Sequence, residues 1–121
     1  MSFLGIDHVS MVVADTEQAL VFYRDILKLK IAENRPDLAF AGAWLIVTDQ
    51  QQIHLLEVPN PDPLKRPEHG GRDRHTAFRV TGLDEIRKRL DEHSIVYTVS
   101  KSGRNALFCR DFDGNTLEFI E

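Results

Sequence analysis

The sequence is poor in cysteine, because Cys109 is the single one among 121 residues. No disulfide can form within the chain, which suits a reducing compartment, and we expect a cytoplasmic protein. No apolar run approaches the roughly 18 residues of a membrane span, and the first residues lack the basic and apolar regions of a signal peptide. Positive charge is not in excess either, since the net charge is −4. We therefore expect neither nucleic acid nor a membrane as partner.

The pattern of apolar residues predicts one domain, residues 1–121, made of two similar halves. Asp15 and Gln18 have the spacing of a helix cap, and apolar residues from Ala19 to Leu27 recur at helical spacing. Runs rich in β-branched residues predict strands. The order is strand, helix and three strands, twice: 6–13, 16–27, 29–35, 39–47 and 52–58, then 74–80, a helix around Leu83 to Leu90, 95–99, 104–110 and 115–120. The fold class predicted is α+β.

The segment 59–73 interrupts this pattern with four prolines and the Gly70–Gly71 pair. These residues exclude regular structure, and a loop this long in a compact domain is often functional or mobile. The arginines of the charged stretch 66–74, which are Arg66, Arg72 and Arg74, are candidates for a lid that meets an anionic substrate group. A solvated loop is the simpler interpretation of the same charges.

The two halves repeat at the positions of four candidate metal ligands. His8 begins the run HVSMVV, and His75 begins HTAFRV. The pentapeptides IHLLE and LEFIE close the halves, so that His54 corresponds to Glu118. A single histidine in a strand is usually a hydrogen-bonded structural residue. The symmetric placement is what favours a site, since each strand can direct one ligand to a common face.

Two imidazoles and one carboxylate on one face can hold a divalent ion and leave coordination positions open for a substrate. We therefore predict that His8, His75 and Glu118 bind one divalent metal ion. His54 is either a further imidazole ligand or a polar residue of the wall, and the residues alone leave both alternatives open.

Three motifs resemble the vicinal oxygen chelate superfamily, which includes glyoxalases, bleomycin resistance proteins and extradiol dioxygenases. They are DHV at residues 7–9 followed by FYRDIL at 22–27, RHTAF at 74–78, and RDFDGNTLE at 110–118. Lys28 stands where glycine is usual after the first of these, and Phe112 where proline is usual in the last. The resemblance spans essentially the whole chain, and the motifs in this order are fairly specific.

The resemblance implies two βαβββ modules, about 3–58 and 74–121, that form a cup-shaped mixed sheet around the metal. It implies metal ligands at His8, His75 and Glu118, and it places the fourth family position at His54. Glyoxalase-like lyases carry glutamate at that fourth position, so His54 departs from their pattern. Glu118 and His54 are then the candidates for proton transfer, and the metal is iron, zinc, nickel or manganese.

The function expected from this resemblance is a metal-dependent lyase or isomerase of glyoxalase type, acting on a small substrate with vicinal oxygens. The first alternative is a single-domain extradiol dioxygenase, because a His-His-Glu set suits iron(II) and oxygen. The second is a metal-free protein that binds or sequesters a small molecule. A homodimer is expected, with the edges at 3–13 and 74–80 meeting, because twofold pairing covers open strand edges.

Overall fold

The computed structural model describes residues 1–121, which divide into two compact units, Met1–Asn60 and Pro61–Glu121. Each unit holds one four-stranded mixed sheet and one main helix. The predicted α+β fold of two βαβββ modules is confirmed. No helix is long and apolar enough to cross a membrane.

The first unit runs from strand β1 to strand β4. Its elements are β1 (His8–Val13), α1 (Thr16–Leu20), which continues as a π-helix over Val21–Ile26, β2 (Lys30–Ile31), β3 (Gly42–Thr48) and β4 (Gln51–Glu57). The strand order is β1-β4-β3-β2, with β1 parallel to β4 and the other pairs antiparallel. The helix buries Leu20, Phe22, Tyr23 and Ile26, and β3 and β4 bury Leu45, Ile53 and Leu55.

The second unit repeats this topology. Its elements are a three-residue 3₁₀ turn (Gly70–Arg72), β5 (His75–Arg79), α2 (Leu83–Glu92), β6 (Tyr97–Val99), β7 (Ala106–Arg110) and β8 (Thr116–Ile120). The strand order is β5-β8-β7-β6, again with the first strand parallel to the last. Its buried apolar side chains include Leu83, Leu90, Leu107 and Leu117. The 3₁₀ turn corrects the expectation that 59–73 has no regular structure: Arg72 N–H bonds to His69 O at 3.0 Å and Asp73 N–H to Gly70 O at 3.1 Å.

Each main helix begins beside a glutamate that lies at the end of the last strand of its own unit or directly after it. Asp15 accepts a hydrogen bond from Gln18 N–H at 2.9 Å, as the cap motif predicts, and Glu57 accepts one from Thr16 N–H at 2.8 Å. In the second unit Glu121 accepts one from Gly82 N–H at 2.7 Å. Both carboxylates satisfy backbone groups that a helix start leaves without partners. Glu57 is therefore engaged away from the ligand positions, as strand alternation suggests.

Candidate functional site

Matching residues of the two units occupy the same register positions. His8 lies opposite Gln52 on β4, and His75 lies opposite Thr116 on β8. The other candidate ligand of each unit lies two residues beyond that partner on the last strand, His54 after Gln52 and Glu118 after Thr116. Side chains two apart share a face of a sheet, so His8 and His54 share one face of the first sheet. His75 and Glu118 share the corresponding face of the second.

In the second unit His75 and Glu118 form a close pair. Nε2 of His75 lies 3.3 Å from Oε2 of Glu118, whose side chain is only 2% exposed. Nδ1 of His75 lies 2.8 Å from the carbonyl oxygen of Asp73. A carbonyl only accepts, so Nδ1 carries the proton and the lone pair of neutral His75 is on Nε2. That lone pair faces a carboxylate oxygen, and either a proton on one of the two groups or a metal ion between them makes this contact favourable.

The separation of this pair fits a divalent metal ion. Two ligand atoms bound at about 2.1 Å with an angle of about 90–110° between them lie roughly 3.0–3.4 Å apart. The observed 3.3 Å falls in that range. The backbone bond on Nδ1 is the support that metal-binding histidines usually have. No group of three or more His, Cys, Asp or Glu side chains in the structure lies close enough together to hold a metal ion.

In the first unit the imidazoles are stacked. The rings of His8 and His54 lie 3.9 Å apart at 14°, and His54 stacks on Trp44 at 3.9 Å and 3°. Nδ1 of His8 is 2.7 Å from Asp7, which leaves its Nε2 available. Nε2 of His54 is 2.9 Å from Oε1 of Gln52. Ring lone pairs lie in the ring planes, so two parallel stacked imidazoles do not converge on one ion.

His54 is buried and is held as a neutral ring. Its side chain lies between two aromatic rings and the residue is 8% exposed. Burial, followed by the repulsion of a charged His8, lowers the pKa of His54 below its usual value. This geometry suits a residue of the wall better than a second ligand beside His8.

Aromatic residues of the two units also correspond in position. Trp44 lies opposite His54, and Phe108 lies opposite Glu118. Phe108 is 7% exposed, but its ring packs against His75 at 5.2 Å with the planes perpendicular. The offset of 64 residues that relates His54 to Glu118 also relates Trp44 to Phe108. This shared offset is the sequence signal from which the aromatic pair can be predicted.

A cleft of about 640 Å³ opens in the second unit beside this pair. Its lining includes His75, Glu118, Phe108, His69, Ser100 and Ser102, with the charged side chains of Glu68, Arg72, Lys101 and Arg104. Arg104 reaches the buried carboxylate, with Nη2 at 3.0 Å from Oε1 of Glu118. This bond joins residues 14 positions apart, and no motif of the sequence indicates it.

Ion pairs hold two of the three arginines that were candidates for a lid, Arg66 and Arg74. Arg66 contacts Asp73 at 2.9 Å, and Arg74 pairs with Asp62. Arg110 contacts Asp73 at 2.7 Å and donates to the carbonyl of Pro67 at 2.6 Å. Burial raises the pKa of Asp73, but the hydrogen bonds from Arg110 and Arg66 lower it more, so that this pKa lies below its usual value. Among the three arginines proposed for a lid, Arg72 is the one that lines the cleft.

Three further side chains, Cys109, His93 and His69, have structural roles or lie at the surface. Cys109 is buried, and burial raises the pKa of its thiol to about 12, as expected for a core residue. His93 ends α2, with Nδ1 at 2.8 Å from the carbonyl oxygen of Arg89. His69 holds the 3₁₀ turn, since its Nδ1 accepts from Gly71 N–H at 3.0 Å and its Nε2 lies 3.2 Å from Val99 O.

Comparison with solved structures shows the same fold in proteins of several functions. A glyoxalase family protein from Bacillus anthracis is 26% identical, with 100% of this chain and 97% of that chain covered and a TM-score of 0.75. The fosfomycin resistance protein FosX from Listeria monocytogenes, in complex with Mn(II) and 1S,2S-dihydroxypropylphosphonic acid, is 15% identical (98% and 92% covered, TM-score 0.76). Lactoylglutathione lyase from Agrobacterium tumefaciens is 21% identical (100% and 96% covered, TM-score 0.68). The last two likenesses concern the fold.

The family comparison covers nearly the whole chain. The model of the Glyoxalase/Bleomycin resistance protein/Dioxygenase superfamily matches residues 5–119, which include all three candidate histidines and Glu118. The repeated βαβββ topology and the positions of the motifs agree with this match. The chain belongs to the Glyoxalase/Bleomycin resistance protein/Dioxygenase superfamily.

Proposed function

We propose that the protein is a metal-dependent enzyme in which His8, His75 and Glu118 bind one divalent ion of iron, zinc, nickel or manganese. The observation that carries the proposal is the His75–Glu118 pair. An imidazole lone pair and a buried carboxylate oxygen face each other at 3.3 Å, and a metal ion between them would make this contact favourable. His8, with Asp7 on its Nδ1, supplies the third ligand atom from its free Nε2.

His54 is assigned to the wall of the site in this proposal. Its ring is parallel to those of His8 and Trp44, and its Nε2 is engaged by Gln52. A flat stack of this kind limits the orientation of a bound molecule. Glu118 is then the candidate for proton transfer, because it combines burial with a position beside the open cleft.

The reaction that we propose is a lyase or isomerase step on a small substrate with adjacent oxygens. A bound divalent ion would supply Lewis acidity toward those oxygens. Phe108 lines the cleft beside His75 and Glu118, and Arg104 orients the carboxylate of Glu118 from its Oε1 side. Fixed charges in a partly buried site stabilise negative charge on a substrate more than they would in water.

Metal binding tests the proposal directly. Protein purified without a histidine tag should bind Zn²⁺ or Mn²⁺ at about one ion per chain in calorimetry. His8→Ala, His75→Ala and Glu118→Ala should each lose this binding. His93→Ala is the matched control, since this exposed imidazole ends a helix, and it should retain full binding. Stoichiometric binding kept by all three ligand variants would reject the site.

The competing functions are separated by activity and by metal dependence. Extradiol oxygenation is favoured by the His-His-Glu composition of the set. An iron(II)-loaded sample, prepared anaerobically, should take up no oxygen on addition of catechols if the lyase proposal holds. Oxygen uptake with ring cleavage would identify a dioxygenase. Tight small-molecule binding without any bound metal would instead identify a binding protein.

We also propose a homodimer. β1 and β5 are each the terminal strand of the four-stranded sheet of their unit, and terminal strands favour pairing. Sedimentation equilibrium at micromolar concentration should give twice the 13.8 kDa of one chain. Mixing His8→Ala with Glu118→Ala chains then shows whether ligands come from two subunits. Recovered metal binding indicates shared sites, and no recovery after proven subunit exchange indicates sites within one chain.

A further inference from the structure

We propose that the cleft of the second unit binds an anionic group, a carboxylate or phosphate, through Arg72, Lys101 and Arg104. All three side chains line the cleft beside His75 and Glu118. The inference rests on the proposed function in one respect: the anionic group belongs to the small molecule whose oxygens would meet the metal. It names a substrate class, small molecules that carry a negative charge near two adjacent oxygens.

The first argument is the difference between paired and unpaired cations. Arg66, Arg74 and Arg110 are neutralised by Asp62 or Asp73. No ion pair of the structure involves Arg72 or Lys101. The acidic residues of this region therefore compensate the arginines that fix the chain and leave Arg72 and Lys101 available for an external anion.

The second argument is that the backbone carrying Arg72 is held in place. Gly70 packs so closely that a Cβ there would lie 2.6 Å from Cγ2 of Thr116 and 3.0 Å from Cβ of Phe108. His69 bonds on one side to Gly71 N–H and on the other to the carbonyl of Val99. Arg72 ends this fixed 3₁₀ turn. A cation on a rigid backbone loses less freedom on binding than one on a mobile loop.

The third argument is that Arg104 already binds a carboxylate at the edge of the cleft. Its Nη2 donates to Oε1 of Glu118 at 3.0 Å, and its Nε lies 3.3 Å from Oγ of Ser102. A guanidinium has five N–H donors, so donors remain for a second anion. The Ser100 and Ser102 hydroxyls, 2.8 Å apart, lie on the same lining.

The charge balance of the cleft supports the same conclusion. The lining carries two carboxylates, Glu68 and Glu118. Arg104 compensates Glu118, so that Arg72 and Lys101 together exceed Glu68 by one positive charge. The whole chain has a net charge of −4. A locally positive cleft in a negative protein concentrates anions at that place.

Phosphate and malonate binding to the metal-free protein test the inference. Heteronuclear NMR titration in the presence of a chelator should show saturable shifts of the Gly71 and Gly103 amides with inorganic phosphate, with malonate, or with both, and the stronger ligand identifies the preferred anion. Arg72→Gln and Lys101→Gln should each weaken binding by about threefold to tenfold, and the double variant should weaken it more. Lys88→Gln, on the exposed surface of α2, should bind as the wild type does.

Two results would overturn the inference. One is the absence of saturable shifts with both anions. The other is an anion affinity that the Arg72→Gln/Lys101→Gln double variant keeps, or that Lys88→Gln lowers as much as the cleft variants do. The outcome is independent of the metal proposal, because the titration contains a chelator. Metal binding without anion binding rejects only the cleft, whereas anion binding without metal binding rejects only the proposed metal site.

Discussion

Replacing Glu118 by glutamine should separate metal binding from stability. The buried carboxylate accepts from Arg104 through Oε1 and faces the lone pair of His75 through Oε2. A glutamine of the same shape keeps the first contact through its carbonyl oxygen. Its amide NH₂ would donate to Nε2 of His75, since Nδ1 carries the proton. Every polar group at this place would then be satisfied without a buried negative charge.

The expected magnitudes follow from these contacts. A hydrogen bond contributes about 1 kcal/mol net, and removal of a buried charge offsets part of its Coulomb loss. We therefore expect Glu118→Gln to change the free energy of unfolding by less than about 1 kcal/mol at pH 8. Metal affinity should fall by at least about 100-fold, because mutating even a residue that only supports a metal ligand lowers the affinity by about 10–100-fold.

Glu118→Ala is the comparison that makes this prediction sharp. It removes one buried methylene, about 0.8 kcal/mol, and leaves a cavity that costs a further 1–2 kcal/mol or so. Urea unfolding of metal-free samples measures the free energies, and calorimetry with Zn²⁺ measures affinity. A loss above about 2 kcal/mol in Glu118→Gln would refute the proton assignment at His75. Unchanged Zn²⁺ affinity would remove Glu118 from the ligand set.

Three further predictions concern residues outside the metal pair. Cys109, with its thiol pKa raised to about 12, should resist a thiol reagent in the folded protein and react at once in urea. Because the unfolded thiol ionises near its ordinary pKa of 9.0, this group should also lower the free energy of unfolding as the pH rises from about 9 toward 12. Asp111→Ala should cost about 2 kcal/mol in urea unfolding, because its carboxylate accepts from the N–H groups of Asp113 and Asn115 at 2.9 Å, whereas Asp113→Ala should cost less than half as much. Lys28→Gly should raise the melting temperature, since Lys28 has a left-handed φ of 62° that costs about 1 kcal/mol for a residue with a side chain; an unchanged or lower value would contradict this.

The repeated arrangement of strands and helices could be predicted because it depends on local patterns. Runs of β-branched residues identified the strands, and the structure trims most of them by one to three residues at their ends. The segment 29–35 kept only Lys30–Ile31 as strand. Its pairing with Leu45 and Ile46 on β3 is a tertiary effect that a local pattern does not contain.

The π-helical end of the first helix was not predicted. Apolar spacing indicated a helix over 16–27, and the chain is helical there, but Leu27 N–H bonds to Phe22 O at 3.0 Å, five residues back. The wider turn brings Phe22, Tyr23 and Ile26 into the core together. Periodicity over a few residues does not distinguish this turn from an ordinary helix.

The candidate site was predicted at the level of residues but not of contacts. The repeat identified His8, His54, His75 and Glu118, and the register confirms that each pair shares a sheet face. Which nitrogen of His75 carries a proton depends on the Asp73 carbonyl, and a backbone group has no signal in sequence. The stacking of His54 on Trp44 likewise depends on register across β3 and β4.

The stack of His8, His54 and Trp44 gives the protein a built-in optical probe. Trp44 is the sole tryptophan, so all indole fluorescence originates beside the proposed ligand His8. Its ring lies 3.9 Å from His54, which in turn lies 3.9 Å from His8. Any ion that draws the His8 ring out of the stack changes the surroundings of the indole. If His8 binds a metal ion as proposed, emission from the unlabelled protein would report that binding through His54, independently of turnover.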